Sequence, residues 1–531
     1  MNRLAVYVCG AALLAFAGVA GAVSPPVPAL NWTECDDALC ADALVPLDYD
    51  SPSGEKISLH LARYAVDPSG RIGTIFVNFG GPGAAGATII RASGFGSALR
   101  AALGNRFDVI GFDPRGIGES RPQFRCFDTE GDRDAFLGMY PIFPYTDDQE
   151  RPYFDAYTAM AEQCVARNQP LAAHMSTADA ARDLDLLRQA VGDAKLSYLG
   201  FSYGSYLGNT YANLFPDKVR AVVIDGVINP LIWTIGRQIS SDRVAVAAVF
   251  DEFIRLCDEA ASEDVMLCPL SYPSGARETY DALAAELRVS PIVFPDFIYS
   301  YDFLVADTVG CMYSPEAWPY CASVLAFLAS AASGEAGAVE RASAARAEML
   351  SRLRTERDDA SYSNELDAMY GVMCSDTRYL DPFSAFASLA GWAEKGSIFG
   401  PAWWWGNSPC ANWPLAEDRY AGPWTARTSA SVLVIGNYFD PATDYAGAVA
   451  AAKWLKNARL LSYAGWGHTA TMRNQCVAEY VGNYLFSGQL PSLGTVCPAN
   501  PNPFLAGAAA SASAGKAVRP VAGLPVLRPE M

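Results

Sequence analysis

The stretch Lys195-Leu196-Ser197-Tyr198-Leu199-Gly200-Phe201-Ser202-Tyr203-Gly204 decides how this chain is read. Its first five residues form a short strand that runs straight into a tight turn, and residues 205–215 read as a helix. A serine at the tip of such a strand–turn–helix sits in a strained backbone conformation. Only small neighbours, here Gly200 and Gly204, let the strand and helix approach closely enough. The turn presents a nucleophile. A serine hydroxyl is weak at neutral pH, however, and needs a base within reach and a third group to fix that base's tautomer.

The chain holds three histidines, His60, His174 and His468. His60 falls inside an early strand and His174 just before a helix cap, where each reads as a structural or surface residue. His468 lies in Gly465-Trp466-Gly467-His468-Thr469, a glycine-rich loop after the last strand and before a helix expected to start near Ala470. It is the candidate base. The candidate orienting acid is Asp440, which follows the buried run 431–439; Asp444, four residues on, is its rival. A second glycine-rich loop, Gly80-Gly81-Pro82-Gly83-Ala84-Ala85-Gly86, follows strand 74–79. The backbone N–H groups of Gly81 and of Tyr203, the residue after the serine, are the expected oxyanion donors. A phosphate-binding loop would need a Gly-Lys-Ser/Thr ending that is absent, and a dinucleotide fingerprint a different glycine spacing.

Strand-like runs recur at 57–64, 74–79, 107–112, 195–201, 219–224, 431–435 and 459–462, several of them continuously apolar, as in a parallel sheet covered on both faces. Helical segments at 87–103, 177–191 and 205–215 alternate with them. The order Ser, Asp, His along an α/β chain is that of the α/β-hydrolase fold, a doubly wound, mostly parallel sheet. Between residues 230 and 428 the alternation stops, and a helix-rich, Ala-rich stretch reads as a large cap domain inserted into the sheet. The expected organisation is a signal peptide (1–22), core (23–229), cap (230–428), core (429–497) and a Pro/Ala-rich disordered tail (498–531).

The formal charge of −18 over 531 residues argues against nucleic acid or an anionic membrane as a partner. A basic start at Asn2-Arg3, an apolar run to Phe16 and the small residues Ala20-Gly21-Ala22 predict a cleaved export signal, with no stable membrane span after its removal. Without Cys9 the chain keeps an even set of cysteines, which in an exported protein predicts disulfides. Pairing of sequence neighbours is expected, because short loops close most easily: Cys35/Cys40, Cys126/Cys164, Cys257/Cys268, Cys311/Cys321, Cys374/Cys410 and Cys476/Cys497. No Cys-x-x-Cys or His-Glu-x-x-His pattern calls for a metal, and no cofactor is expected.

Taken together, these residues resemble the α/β-hydrolase peptidases of the prolyl aminopeptidase and secreted tripeptidyl aminopeptidase type (peptidase family S33). The resemblance rests on Gly80-Gly81-Pro82-Gly83, on residues 112–120 (Phe-Asp-Pro-Arg-Gly-Ile-Gly-Glu-Ser) and on Ser176-Thr177 through Asp185. It continues with Asp225-Gly226-Val227, Cys374-Ser375-Asp376, Cys410 with Trp413, and Asp440 and His468. Departures are Phe79 before the glycines and Ala442-Thr443-Asp444 after Asp440-Pro441. The resemblance implies a secreted serine exopeptidase acting on peptides with a free N-terminus. Such an enzyme needs an acceptor-rich spot in the cap for the substrate ammonium; Asp376 matches best and Glu252 is a second candidate. Trp403-Trp404-Trp405, Trp413 and Trp424 read as a packed cap core or, alternatively, a pocket wall. A carboxylesterase using the same three groups is the alternative function, and a hydrolase-like binding protein that has lost catalysis is a third.

Overall fold

The computed structural model describes residues 24–92, 94–295, 297–353, 362–379 and 382–505. The expected signal peptide, with Cys9, lies outside them. Twelve strands are β1 (Thr33–Cys35), β2 (Ala38–Pro46), β3 (Lys56–Tyr64), β4 (Gly73–Asn78), β5 (Phe107–Phe112), β6 (Leu196–Phe201), β7 (Val219–Asp225), β8 (Ile292–Val293), β9 (Ile298–Tyr299), β10 (Val432–Phe439), β11 (Ala458–Trp466) and β12 (Val496–Cys497). Ten form one sheet in the order β1-β2-β3-β5-β4-β6-β7-β10-β11-β12. From β5 to β12 neighbours run parallel, while β1, β2 and β3 close one edge as an antiparallel ribbon.

The continuously apolar strands have the reason that sequence reading assigned them: both faces are covered. Phe76, Tyr198, Val222 and Val434 point into one apolar cluster, and Ile75, Leu199, Val223 and Leu433, one residue out of phase, into the other. The strand order turns back between β4 and β6, which lie side by side. Ligand sites of open α/β sheets lie at the carboxyl ends of strands flanking such a switch. Here those ends carry the Gly80 loop and Ser202.

Several local differences from the sequence reading have clear causes. The segment expected as one helix at 87–103 is two, Gly86–Ala92 and Phe95–Ala102, with Gly94 at φ 67° between them. The helix after His468 begins at Gln475, not near Ala470, because residues just after His468 give their N–H groups to a buried carboxylate instead. The tail is packed as far as Leu505: Phe504 is buried with its ring 5.6 Å from Phe253 and 6.3 Å from Trp318. The rest of the tail lies outside the described residues.

Between β7 and β10 the chain forms mainly helices, among them Ile239–Glu263, Tyr301–Met312, Trp318–Ala332 and Glu365–Asp376, with β8 and β9 as a small separate hairpin. A segment assigned from sequence to the core also joins this layer. The helix Asp147–Arg167 places Phe154 5.3 Å from Phe386 and Tyr153 5.9 Å from Trp405. Trp404 and Trp405 are buried, Trp404 stacking on Phe386 at 4.4 Å, so these two rings pack into the helical layer. All six disulfides join the expected sequence neighbours.

Arg115, in the loop after β5, is 1% exposed and fixes the helix Thr177–Ala190 that leads into β6. Its Nε and Nη2 each lie 2.8 Å from an Asp183 carboxylate oxygen, and its Nη1 donates to the carbonyls of Leu47 and His174. Removing one partner of a buried pair strands the other charge. Arg115→Met is therefore expected to cost about 3–5 kcal/mol in urea denaturation, whereas a loss under about 1 kcal/mol would show that Asp183 is satisfied without it.

Candidate active site

Ser202 stands at φ 55°, ψ −124°, between β6 and the helix Tyr203–Leu214. Among non-glycine residues a positive φ is uncommon and strained. The strain is held by backbone bonds: Ser202 N–H donates to the Asp225 carbonyl at 2.9 Å, and Ser205 N–H to the Ser202 carbonyl at 2.8 Å. Space is as tight as the sequence implied. A Cβ on Gly204 would sit 2.6 Å from the Asn78 carbonyl oxygen, and one on Gly80 would sit 2.7 Å from Ser202 Cβ and 3.1 Å from Tyr203 N. The Gly80 loop thus lies directly against the serine. Among the described residues no acceptor takes the N–H of Gly81 or Tyr203. A Cβ on Gly83, at φ 112°, would strike the Glu365 carbonyl oxygen, so the cap packs onto the outer side of this loop.

Asp440 follows β10, where the pairing with β11 shifts between Asn437 and Phe439 and re-aims the strand end. Its carboxylate lies 2.9 and 3.1 Å from His468 Nδ1 and accepts the N–H groups of Ala442, Thr443 and Thr469. Burial opposes its charge, but His468 and these amides outweigh that and hold its carboxyl below the ordinary value. The rival, Asp444, caps the helix Tyr445–Trp454 by accepting from Ala446 N–H. Nδ1 being engaged by Asp440, the other ring nitrogen of His468, Nε2, is buried and has no hydrogen-bond partner among the described residues.

The loop of His468 is pinned residue by residue. Gly467 N–H donates to the Phe439 carbonyl at 2.9 Å, and Asn437 Nδ2 to the Gly467 carbonyl at 2.8 Å. Ala470 and Thr471 donate their N–H groups to the buried carboxylate of Asp225 at 3.0 and 2.8 Å. Asp225 is thereby a bridge: its carbonyl holds the serine and its carboxylate holds the loop of the histidine. Sequence reading noted Asp225 as part of a motif and gave it no role in the site; a carboxylate directly after the apolar run 221–224 was the available signal. Gly226 marks the convergence, since a Cβ there would lie 3.2 Å from both His468 Cε1 and Thr443 Oγ1.

The remaining expected residues are already engaged. Asp376 accepts Thr177 N–H at 2.9 Å and Thr177 Oγ1–H at 2.5 Å, and the same hydroxyl meets the Tyr203 phenol. It ties the cap helix Glu365–Asp376 to the start of the helix before β6. Glu252 accepts Trp466 Nε1–H at 2.9 Å and pairs with Arg255. His60 lies 2.9 Å from Asp42, and the carbonyl of His174 serves Arg115; neither imidazole joins the site. Among the described residues no cluster of His, Cys, Asp and Glu is fit to hold a metal ion, and no helix is long and apolar enough to cross a membrane.

A strand-tip serine at a sheet switch, followed by an acid and a histidine on later parallel strands, places the chain in a class, the α/β-hydrolases. Comparison with known proteins agrees. Residues 75–247 match the family described as alpha/beta hydrolase fold, and residues 396–497 the one described as TAP-like protein. The chain is 32% identical to carboxylesterase B of Mycobacterium tuberculosis, over 88% of this chain and 90% of that one. It is 30% identical to serine protease Hip1 of the same organism, over 88% and 91%. Identity with the tripeptidyl aminopeptidase of Streptomyces lividans is 29%, over 93% and 90%. The chain belongs to the α/β-hydrolase family and is a serine hydrolase of the type these relatives represent.

Burial raises the Asp376 carboxyl to about 7 despite the bonds from Thr177. Between its ordinary value and about 7 the folded protein binds this proton more tightly than the unfolded chain, so stability falls as pH rises through that window. Asp376→Asn removes this titration and is expected to make the stability profile shallower from about pH 4 to 7, followed by urea midpoints, while Asp113 and Asp179, also raised by burial, keep part of the slope. An unchanged slope would place the titration elsewhere.

Proposed function

We propose that the protein is an exported serine exopeptidase that hydrolyses peptide bonds near a free N-terminus. In this reading Ser202 Oγ attacks the scissile carbonyl while His468 Nε2 takes its proton and passes it to the leaving amine. Asp440 keeps the Nδ1–H tautomer and stabilises the imidazolium. The N–H groups of Gly81 and Tyr203 receive the oxyanion, and water then releases the acyl group from Ser202. The observation that carries the reading is Asp225, whose carbonyl holds the strained serine and whose carboxylate holds the loop of the Asp440-paired His468. The similarity to a tripeptidyl aminopeptidase along almost the whole chain favours a peptide substrate. Six disulfides suit an oxidising compartment and support export.

With Asp376 and Glu252 both engaged, the cap carboxylate best fitted to an ammonium is Asp242, in the first turn of the helix Ile239–Glu263. It is buried, its hydrogen bond comes from Gln238 Nε2 at 3.2 Å, and burial together with the charge of Asp444 pushes its carboxyl well above the ordinary value. A cation there would relieve both effects. An acyl hydrolase with the same three groups is the second reading, favoured by the similarity to a carboxylesterase B.

The test compares a free-amine tripeptidyl fluorogenic amide with its N-acetylated twin, Ser202→Ala serving as the blank. A free-amine preference of about a hundredfold or more in kcat/KM is expected, in keeping with a buried charge pair. Equal rates on both would overturn the amine-recognition reading, and cleavage of neither, with rapid ester hydrolysis, would favour the esterase.

A further inference from the structure

The inserted domain does more at this site than roof it. The cap loop bounded by the disulfide Cys311–Cys321 touches the histidine loop through one residue after another. The Tyr313 carbonyl accepts His468 N–H at 3.0 Å, and the Tyr313 ring stands edge-on to the imidazole at 5.1 Å. Pro315 presses on Gly467 so closely that a Cβ there would lie 2.5 Å from its Cδ; with φ at 92°, glycine is required. Trp318 lies 6.1 Å from Trp466, and its indole N–H donates to the Cys311 carbonyl.

Arg473 completes the circuit. Its side chain is 4% exposed, and its planar fork meets three acceptors at once. Nε donates to the His468 carbonyl at 3.2 Å, Nη2 to the Tyr313 carbonyl at 2.8 Å, and Nη1 pairs with the Glu316 carboxylate. Both backbone polar groups of His468 are therefore referred to a single cap carbonyl, one directly and one through a guanidinium. Asp440 fixes which way the ring faces; the bonds to Phe439, Asn437 and Asp225 hold the neighbouring residues of the loop, and this circuit holds the backbone of His468 itself. A displacement of about 1 Å in a reacting group costs on the order of a hundredfold in rate.

We infer that Arg473 is a positioning residue for His468, making the docking of the 311–321 cap loop a condition of productive imidazole geometry. The inference rests on the reading of His468 as the base. It assigns the cap a part in catalysis distinct from substrate choice: an undocked loop leaves Asp440 and His468 paired yet turns Nε2 off line.

The experiment measures kcat, KM and the rate of Ser202 labelling by a fluorophosphonate for wild type, Arg473→Met, Arg473→Lys and Glu316→Gln. Rates are normalised to the folded fraction from near-UV circular dichroism. Arg473→Met is expected to lower kcat and the labelling rate together by about a hundredfold, with KM within about threefold. Arg473→Lys should recover about a tenth of wild-type kcat, because an ammonium can serve one of the two carbonyls but lacks the fork. Glu316→Gln should lose a few-fold in kcat. A normalised kcat for Arg473→Met within about twofold of wild type would overturn the inference, as would a loss confined to KM. Should Arg473→Met not fold, Glu316→Gln decides, and an unchanged kcat there counts against the inference. Turnover surviving in His468→Ala would instead refute the base assignment, and the inference would fall with it.

Discussion

Two carboxylates buried at the ends of neighbouring parallel strands are the constraint on which the site depends. Asp225 ends β7 and Asp440 follows β10, and the two strands pair with Ile435 opposite Asp225. An ionised group in that position is tolerated only when hydrogen bonds replace its water. The loop after β11 supplies them: Thr469 and the imidazole serve Asp440, and Ala470 and Thr471 serve Asp225. The histidine is thus placed as a consequence of satisfying buried charge. Since the Asp225 carbonyl also takes Ser202 N–H, the same constraint sets the serine relative to the histidine.

Much of this was legible in the chain because it rests on local chemistry. A small residue is obligatory on either side of a strand-tip serine, and the contacts that forbid a Cβ at Gly200 and Gly204 are the physical content of that pattern. Apolar runs without alternation reported a sheet covered twice. Asp440 directly follows the strand and lies against His468, whereas Asp444 caps the next helix. What stayed hidden depended on partners distant in sequence. The antiparallel strand β2 carries Asp42 and alternating exposed residues and lacks the apolar run of the inner strands. Asp376 matched a motif, but only the fold reveals Thr177, far away in the chain, as the group that occupies it. Arg473 and Tyr313, distant in sequence, carried no signal at all.

The helical segments between β7 and β10 are joined to the sheet around the site. Asn364 donates to the carbonyls of Gly116 and Phe124, Asp376 receives Thr177, and Arg473 links the His468 loop to Tyr313. These attachments lie beside the ends of β5, β6 and β11, and each involves a residue at least nine-tenths buried. Such buried, geometrically specific bonds are costly to break singly, so the cap and the core are expected to melt as one unit. The disulfides Cys311–Cys321 and Cys374–Cys410 lie within the two cap segments that carry these contacts and restrict their conformations in the unfolded chain.

The central claim is that Ser202 becomes acylated with His468 as its base, and trapping the acyl-enzyme tests it most directly. The folded protein would be mixed with an activated ester, quenched within the first turnover and digested for peptide mass spectrometry. The account predicts one acyl group on the peptide holding Ser202 in wild type, and its loss in His468→Ala and in Ser202→Ala. Acylation on another residue, or undiminished acylation of Ser202 without His468, would contradict it.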